Sequence, residues 1–174
     1  MNDIVGYIEN FEVLPLTRDF AERHVDVLMN LVNQIPLVEY TQEHLLAESK
    51  EERIFFGKWE HSLVVVDQDK PIGCIIAYER KAESNDQYPN NSLYISELAV
   101  DQQYQKMGIA KSLLNLFFQV NTKFKYLEGP VTYAVQTNEA PWNLHVQNLY
   151  KSFGFQPVGK KQYNNRTDII FVRQ

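Results

Sequence analysis

The alternation of apolar and polar positions divides the chain into short β-prone runs and longer helical stripes. Phe11–Leu16 reads as a first strand, placed at a sheet edge because Pro15 lacks an amide donor. Asp19-x-x-Glu22 has the form of a capping box. Phe20, His24, Leu28, Leu31, Val32 and Ile35 follow at helical spacing, and His24 reads as a packed or rim residue of that stripe. A second short helix begins at Thr41 and includes Leu45 and Leu46. Ser62–Val66, a polar turn over Asp67–Lys70 and Pro71–Tyr78 make a hairpin. Lys81–Asn91 is a polar loop rich in Ser, Asn and Pro.

Leu93–Val100 is the next strand, followed by a helix from about Gln105 to Val120. Ile109, Leu113, Leu114, Phe117 and Val120 mark that helix's buried face. Gly129-Pro130 breaks the connection and Val131–Val135 is again a strand. Strand, helix and strand in succession imply a right-handed parallel crossover. Trp142, Val146, Leu149, Tyr150 and Phe153 recur at helical spacing before Gly154, a helix stop. Phe155–Gly159 and Thr167–Val172 read as a closing hairpin. Hairpins around a single crossover predict an α/β fold with a mixed sheet.

Composition narrows the function. A length of 174 residues with 44% hydrophobic content fits one domain, residues 1–174, with a real core. The net charge of −5 argues against nucleic acid as a partner. No run reaches membrane-spanning length, so no membrane partner is expected. Cys74 is the lone cysteine and sits in an apolar run, so it reads as a core residue in a reducing compartment. A soluble cytoplasmic protein is expected, with a homodimer left open. His44, His61 and His145 lack metal-ligand spacing, and Ser112 lacks a nucleophile-elbow context.

The segment Val100–Leu114 carries the chemistry. A strand ends in a polar turn that runs into a helix through Gln105, Lys106, Met107, Gly108, Ile109 and Ala110. The first turn of a helix leaves amide groups unpaired, and its dipole favours an anion such as phosphate. Gly108 and Ala110 keep bulky side chains away from such an anion. The spacing Gln-x-x-Gly-x-Ala is neither a dinucleotide fingerprint nor a Walker loop. It resembles the pyrophosphate-binding signature of the GNAT superfamily of N-acetyltransferases, Gln/Arg-x-x-Gly-x-Gly/Ala. A second run, Asn143-x-x-Val146-x-x-Leu149-Tyr150-x-x-x-Gly154-Phe155, resembles that family's C-terminal pattern, with Val146 in place of the usual alanine. The two runs stand in the family's order and cover roughly residues 93–156.

The resemblance implies a GNAT-like, mostly antiparallel sheet with a central splayed parallel strand pair flanked by helices. Acetyl-CoA would lie in the splay. Its pyrophosphate would meet the amides around Gln105 to Ala110, and its pantetheine the strand edge at Leu98 and Val100. Asn143 and Tyr150 would line the opposite side. Lys106 and Lys111 lie close to the anion, although each also reads as solvated helix surface, Lys111 preferentially so.

The implied reaction transfers acetyl to a primary amine by direct attack. The acceptor would be a small molecule such as a polyamine or aminoglycoside, or a peptide amine. An alkylammonium has a pKa of about 10.4 and must lose a proton before it attacks. Glu97, a lone carboxylate in an apolar strand, is the candidate base; the alternatives are a water chain and a Glu97 that points away from the cleft. Tyr150 is the candidate acid, acting as a donor to the departing sulfur, or else a plain core tyrosine. A backbone amide near Leu98–Val100 is the candidate oxyanion donor. No metal is required. Helices one and two with the Lys81–Asn91 loop would form the acceptor side, where Glu83, Asp86 and Glu97 hint at a cationic acceptor. The rival reading is a non-catalytic acyl-CoA-binding sensor.

Overall fold

The computed structural model describes residues 3–50, 53–84 and 87–174. Among them, nine strands form one sheet. In chain order these are β1 (Gly6–Ile8), β2 (Phe11–Pro15), β3 (Phe55–Phe56), β4 (Leu63–Asp67), β5 (Lys70–Arg80), β6 (Ser92–Val100), β7 (Thr132–Asn138), β8 (Gln156–Gln162) and β9 (Thr167–Arg173). The helices are α1 (Arg18–Arg23), α2 (Val25–Val32), α3 (Gln42–Leu46), α4 (Lys58–His61), α5 (Ile109–Val120) and α6 (Leu144–Ser152). The sheet order is β1-β2-β4-β5-β6-β7-β9-β8, with β3 on β5. Every pairing is antiparallel except β6 with β7. The mixed, mostly antiparallel sheet with one parallel pair is therefore as the sequence implies.

Both faces of the sheet are covered, which explains why β5 is an almost unbroken apolar run. Successive strand residues point to opposite faces. Val64, Val66, Cys74, Ile76, Tyr78 and Tyr94 pack under α1–α3 with Phe20, Leu28, Leu31 and Leu45. Val65, Ile75, Ala77, Leu93 and Ile95 pack under α5 and α6 with Leu113, Leu114, Phe117 and Tyr150. Cys74 is fully buried in the first set.

Several boundaries differ from expectation, each for a local reason. β2 is not an edge strand, because β1 covers it. The α1 cap is Thr17, whose Oγ1 accepts from the Phe20 amide at 3.2 Å, while Glu22 pairs with Arg18 instead of reaching back. The long stripe breaks at His24, which leaves helical geometry and stacks on Phe20 at 4.3 Å; Ile35 lies beyond α2. α5 starts at Ile109 rather than Gln105, after a 3-10 turn at Gln102–Tyr104. Val120 and Trp142 are exposed rather than on buried faces, Trp142 because it belongs to a 3-10 turn that precedes α6. β1, β3 and α4 are too short for any periodicity to be read.

The crossover from α5 to β7 is clamped from below. Glu79 accepts backbone hydrogen bonds from Lys125, from Tyr126 at 3.0 Å and from Leu127 at 2.8 Å. His61 Nε2 lies 2.7 Å from Glu79, and its Nδ1 lies 2.7 Å from Asn121 Oδ1. This holds the end of α5 and the connection that leads to β7.

Candidate active site

The parallel pair opens partway along its length. Pairing runs from Ser92↔Thr132 to Ile95↔Val135, and there it ends. Beyond it, β6 stays with β5 and β7 stays with β9. The divergence coincides with a register shift in β6: Ile95 faces Ala77, Glu97 faces Ile76, and Ser96 is the extra residue. A bulge bends its strand and re-aims side chains. Here it moves Glu97 to the face of the sheet that carries Ile76 and α1–α3, opposite the face of Ile95.

The same ladder sets the backbone. The Asp101 amide donates to Ile72 O at 2.8 Å. In an antiparallel ladder bonded and non-bonded pairs alternate. Ala99 therefore bonds toward β5, and the amides and carbonyls of Leu98 and Val100 point into the splay. Gln105 Nε2 reaches the Val100 carbonyl at 3.0 Å, which fits that direction. One expected cofactor residue thus caps a backbone group of another.

A cavity of about 870 Å³ fills the splay. Glu97, Leu98, Val100, Gln105, Lys106 and Ala110 line one wall; Val135–Asn138, Asn143, Val146, Leu149 and Tyr150 line the other. Met107, Gly108, Ile109 and Lys111 do not line it. Met107, Gly108 and Lys111 are exposed and the Ile109 side chain is buried in the core, so only backbone groups of these four can serve the cleft. Lys106 and Gly108 have positive φ, 66° and 80°, and the first helical bond of α5 runs from Ser112 to Gly108 O. No side chain caps this helix. Its first amides are therefore left for an anion. A Cβ on Gly108 would meet no protein atom, so glycine is needed there for its φ, not for room against the protein.

Asn143 is nearly buried and structural in part. Its Nδ2 donates to Thr137 Oγ1 at 2.6 Å and to Asn138 O at 2.8 Å, tying the start of α6 to the end of β7. Tyr150 is buried, edge-on to Phe155 at 5.5 Å, and its hydroxyl has no partner among the described residues. Burial, and then the nearby charge of Glu97, push that hydroxyl above its ordinary range.

Glu97 is partly buried and pushed up to about 7. Desolvation raises it; Lys50, the Ser96 hydroxyl and Arg166 pull it back. Ser96 Oγ donates to Glu97 Oε1 at 3.4 Å and accepts from Lys50 Nζ at 3.1 Å. The half of the cavity toward α1–α3 holds further residues that no motif reveals: Phe55, Tyr94, Tyr88 beneath Arg80 at 3.7 Å, and Arg166, whose guanidinium donates to Leu37 O at 3.2 Å. Ser96 beside Glu97 in an apolar strand was the one visible signal. Glu83 does not line the cavity, and Asp86 lies outside the described residues. Among the described residues no cluster of His, Cys, Asp or Glu is placed to hold a metal. No helix among them is long and apolar enough to cross a membrane.

Residues 58–157, more than half of the chain, match the family of acetyltransferase (GNAT) domains. The chain belongs to this family and is an acyltransferase of the GNAT type. No curated protein matches it. Its fold is similar to that of a chain in the NatC complex bound to Gag peptide and CoA, with a TM-score of 0.70, 22% identity, and coverage of 93% of this chain and 96% of that one. It is also similar to Arabidopsis thaliana Naa50, solved with the bisubstrate analogue CoA-Ac-MVNAL, at TM-score 0.65, 19% identity, and coverage of 88% and 93%. The ribosomal-protein-S18-alanine N-acetyltransferase of Escherichia coli matches at TM-score 0.64, 15% identity, and coverage of 92% and 90%.

Proposed function

We propose that this protein is an N-acetyltransferase that moves the acetyl group of acetyl-CoA directly onto a primary amine, with a peptide amine as the favoured acceptor. The observation that carries this reading is the two-sided cleft. An anion cradle and a free strand edge lie along one half, and a carboxylate with a pKa near neutrality faces the other.

The residues fit acetyl-CoA. The uncapped amides from Gly108 to Lys111 suit a pyrophosphate, with Lys106 as a nearby cation. The outward backbone groups of Leu98 and the Val100 amide suit an amide-bearing pantetheine arm. Asn143 keeps its carbonyl oxygen for the cleft after both its amide protons are used.

Glu97 would take the proton of the incoming ammonium. A base near pH 7 is largely ionised at physiological pH, yet basic enough to accept a proton. Tyr150 would donate a hydrogen bond to the leaving sulfur. A thiol has a pKa near 8.5 and an ordinary tyrosine near 10, so outright proton transfer to a thiolate is uphill by roughly 2 kcal/mol. The raised Tyr150 hydroxyl widens that gap, so it acts as a hydrogen-bond donor. An outward amide of Leu98 or Val100 would face the developing oxyanion.

The charge of the acceptor half favours the peptide reading over a polyamine or aminoglycoside. Lys50, Arg80, Lys161 and Arg166 line the cavity against Glu97 and Asp168. Among the described residues only these two carboxylates line this half, too few to hold a polycation at several points. Two of the similar structures hold a peptide or a peptidyl-CoA analogue, and a third is named for a protein alanine. The test is CoA thiol release with a panel of peptides and small amines. Release with peptide amines is expected. Tight acetyl-CoA binding with no release from any amine would make the protein a sensor instead.

A further inference from the structure

The acceptor half of the cleft already contains an amine. Lys50 is pinned by a backbone bridge to Phe55, its amide donating to Phe55 O at 3.2 Å. Its side chain lines the cavity. Nζ stands 4.8 Å from the ring centre of Phe55, 5.2 Å from that of Tyr78 and 5.3 Å from that of Tyr94. Aromatic faces hold an ammonium in place but cannot take its proton. Ser96 can pass it on: Nζ donates to Ser96 Oγ at 3.1 Å, and Ser96 Oγ donates to Glu97 Oε1 at 3.4 Å. This chain of hydrogen bonds leads from an amine to the base. Glu97 directly precedes Leu98, whose backbone opens into the cofactor half, and one strand residue spans only about 3.3 Å.

We propose that Lys50 is an internal acceptor and that the protein acetylates itself at this residue in cis. The proposal rests on the N-acetyltransferase reading above and supplies that site with a substrate from the same chain. The Lys50 ammonium gives one proton to Glu97 through Ser96. The freed nitrogen lone pair forms a bond to the acetyl carbonyl carbon of acetyl-CoA. The carbon–sulfur bond breaks with its electron pair on sulfur, and a second proton from the nitrogen ends on that sulfur. The products are Nε-acetyl-Lys50, CoA thiol and the proton held by Glu97, which returns to solvent. The acetylated nitrogen keeps one N–H for Ser96 and no longer carries a charge toward Glu97, so self-modification alters the acceptor pocket.

The full chain is incubated with acetyl-CoA and a peptide amine. Acetylation at Lys50 is followed by mass spectrometry beside the exposed Lys111 and Lys123, together with thiol release. Lys50 should be modified at least about tenfold faster than either surface lysine, a margin below the about 10²–10⁴-fold that general-base assistance typically supplies. Its rate should not change on dilution of the protein. Glu97→Gln should slow it at neutral pH and release the block at high pH. In Lys50→Arg, checked for folding, thiol release without peptide should disappear. Modification of Lys50 no faster than that of Lys111 and Lys123, a rate that falls on dilution, or undiminished thiol release by Lys50→Arg would overturn the proposal. Peptide turnover with Lys50 unmodified would overturn self-acetylation alone. Lys50 modification without turnover of any external amine would overturn only the external-acceptor reading.

Discussion

On the α5–α6 side of the cleft, side chains such as Asn143, Leu149 and Tyr150 stand beside two sets of unpaired backbone groups, the first amides of α5 and the outward groups of Leu98 with the Val100 amide. On the α1–α3 side the cavity is lined by side chains drawn from distant segments, among them Lys50, Phe55, Arg80, Tyr88 and Arg166. The first side lies within the part of the chain that matches the acetyltransferase family, while α1–α3 precede it. The contrast indicates a division of labour. A phosphate-bearing nucleotide can be held by main-chain geometry, which tolerates wide sequence change. An acceptor is chosen by the charge and shape of side chains. Glu97 stands at the boundary, turned toward the α1–α3 side by the bulge at Ser96.

The largest expected effect tests whether chemistry depends on one side chain of the cofactor wall. Tyr150→Phe keeps the ring packed on Phe155 and removes only the unpartnered hydroxyl. Turnover should fall by about 10²-fold, at the low end for acid assistance, because the raised hydroxyl is a poor acid. Acetyl-CoA affinity should change little, and a thioester with a more acidic leaving thiol should lose less. Steady-state rates with both thioesters check this, and a defect blind to the leaving group would return Tyr150 to the core.

A smaller effect should appear in stability on the acceptor side. Glu97 has its pKa raised from 4.5 to about 7 by burial. The folded state therefore holds this proton more tightly than the unfolded chain does. The favourable contribution is present below about pH 4.5 and is lost as pH rises toward about 7. With the shift discounted for the carboxylate's partial exposure to solvent, Glu97→Gln should then be more stable than the parent by about 2 kcal/mol above about pH 8, and about equal near pH 4, in urea unfolding. No such gain is expected at backbone-built positions of the cofactor wall. Equal stabilities at both pH values would mean that the carboxylate is well solvated.

The smallest effect concerns the cradle. Gly108 adopts φ 80° at the mouth of α5 with open space around it. Gly108→Leu places a strained residue where the anion should approach. Acetyl-CoA affinity should weaken by about tenfold or more, about 1.4 kcal/mol, with kcat at saturation less affected. Calorimetry on a folded variant with unchanged affinity would remove the cradle from the account.

These two walls were also unequally legible in the sequence. Gln105, Gly108 and Ala110 sit within six residues, and Asn143, Leu149, Tyr150 and Gly154 within twelve, so local spacing carried the cofactor wall. The strand edge at Leu98 and Val100 followed from its place before that turn. Lys50 and Arg166 are brought to one cavity by pairing across the sheet, which no local pattern encodes. The bulge at Ser96 was equally invisible, because a one-residue register shift depends on the partner strand. Among the elements, the amphipathic α5 and the apolar β4–β5 hairpin were plain, while β1, β3 and α4 span two to four residues and have no period to read. The break at His24 was hidden because its apolar stripe continues through it.

The most direct test of this division is Glu97→Gln, measured twice. Its acetyl-CoA affinity is determined by calorimetry, and its turnover with a reactive peptide amine is followed across pH. Affinity should be unchanged, and turnover at neutral pH should fall by about 10²-fold, with partial recovery at high pH, where more of the amine is already neutral. A parental pH profile would hand the base role to a water chain. A variant that loses acetyl-CoA affinity together with turnover would contradict the separation of the two walls.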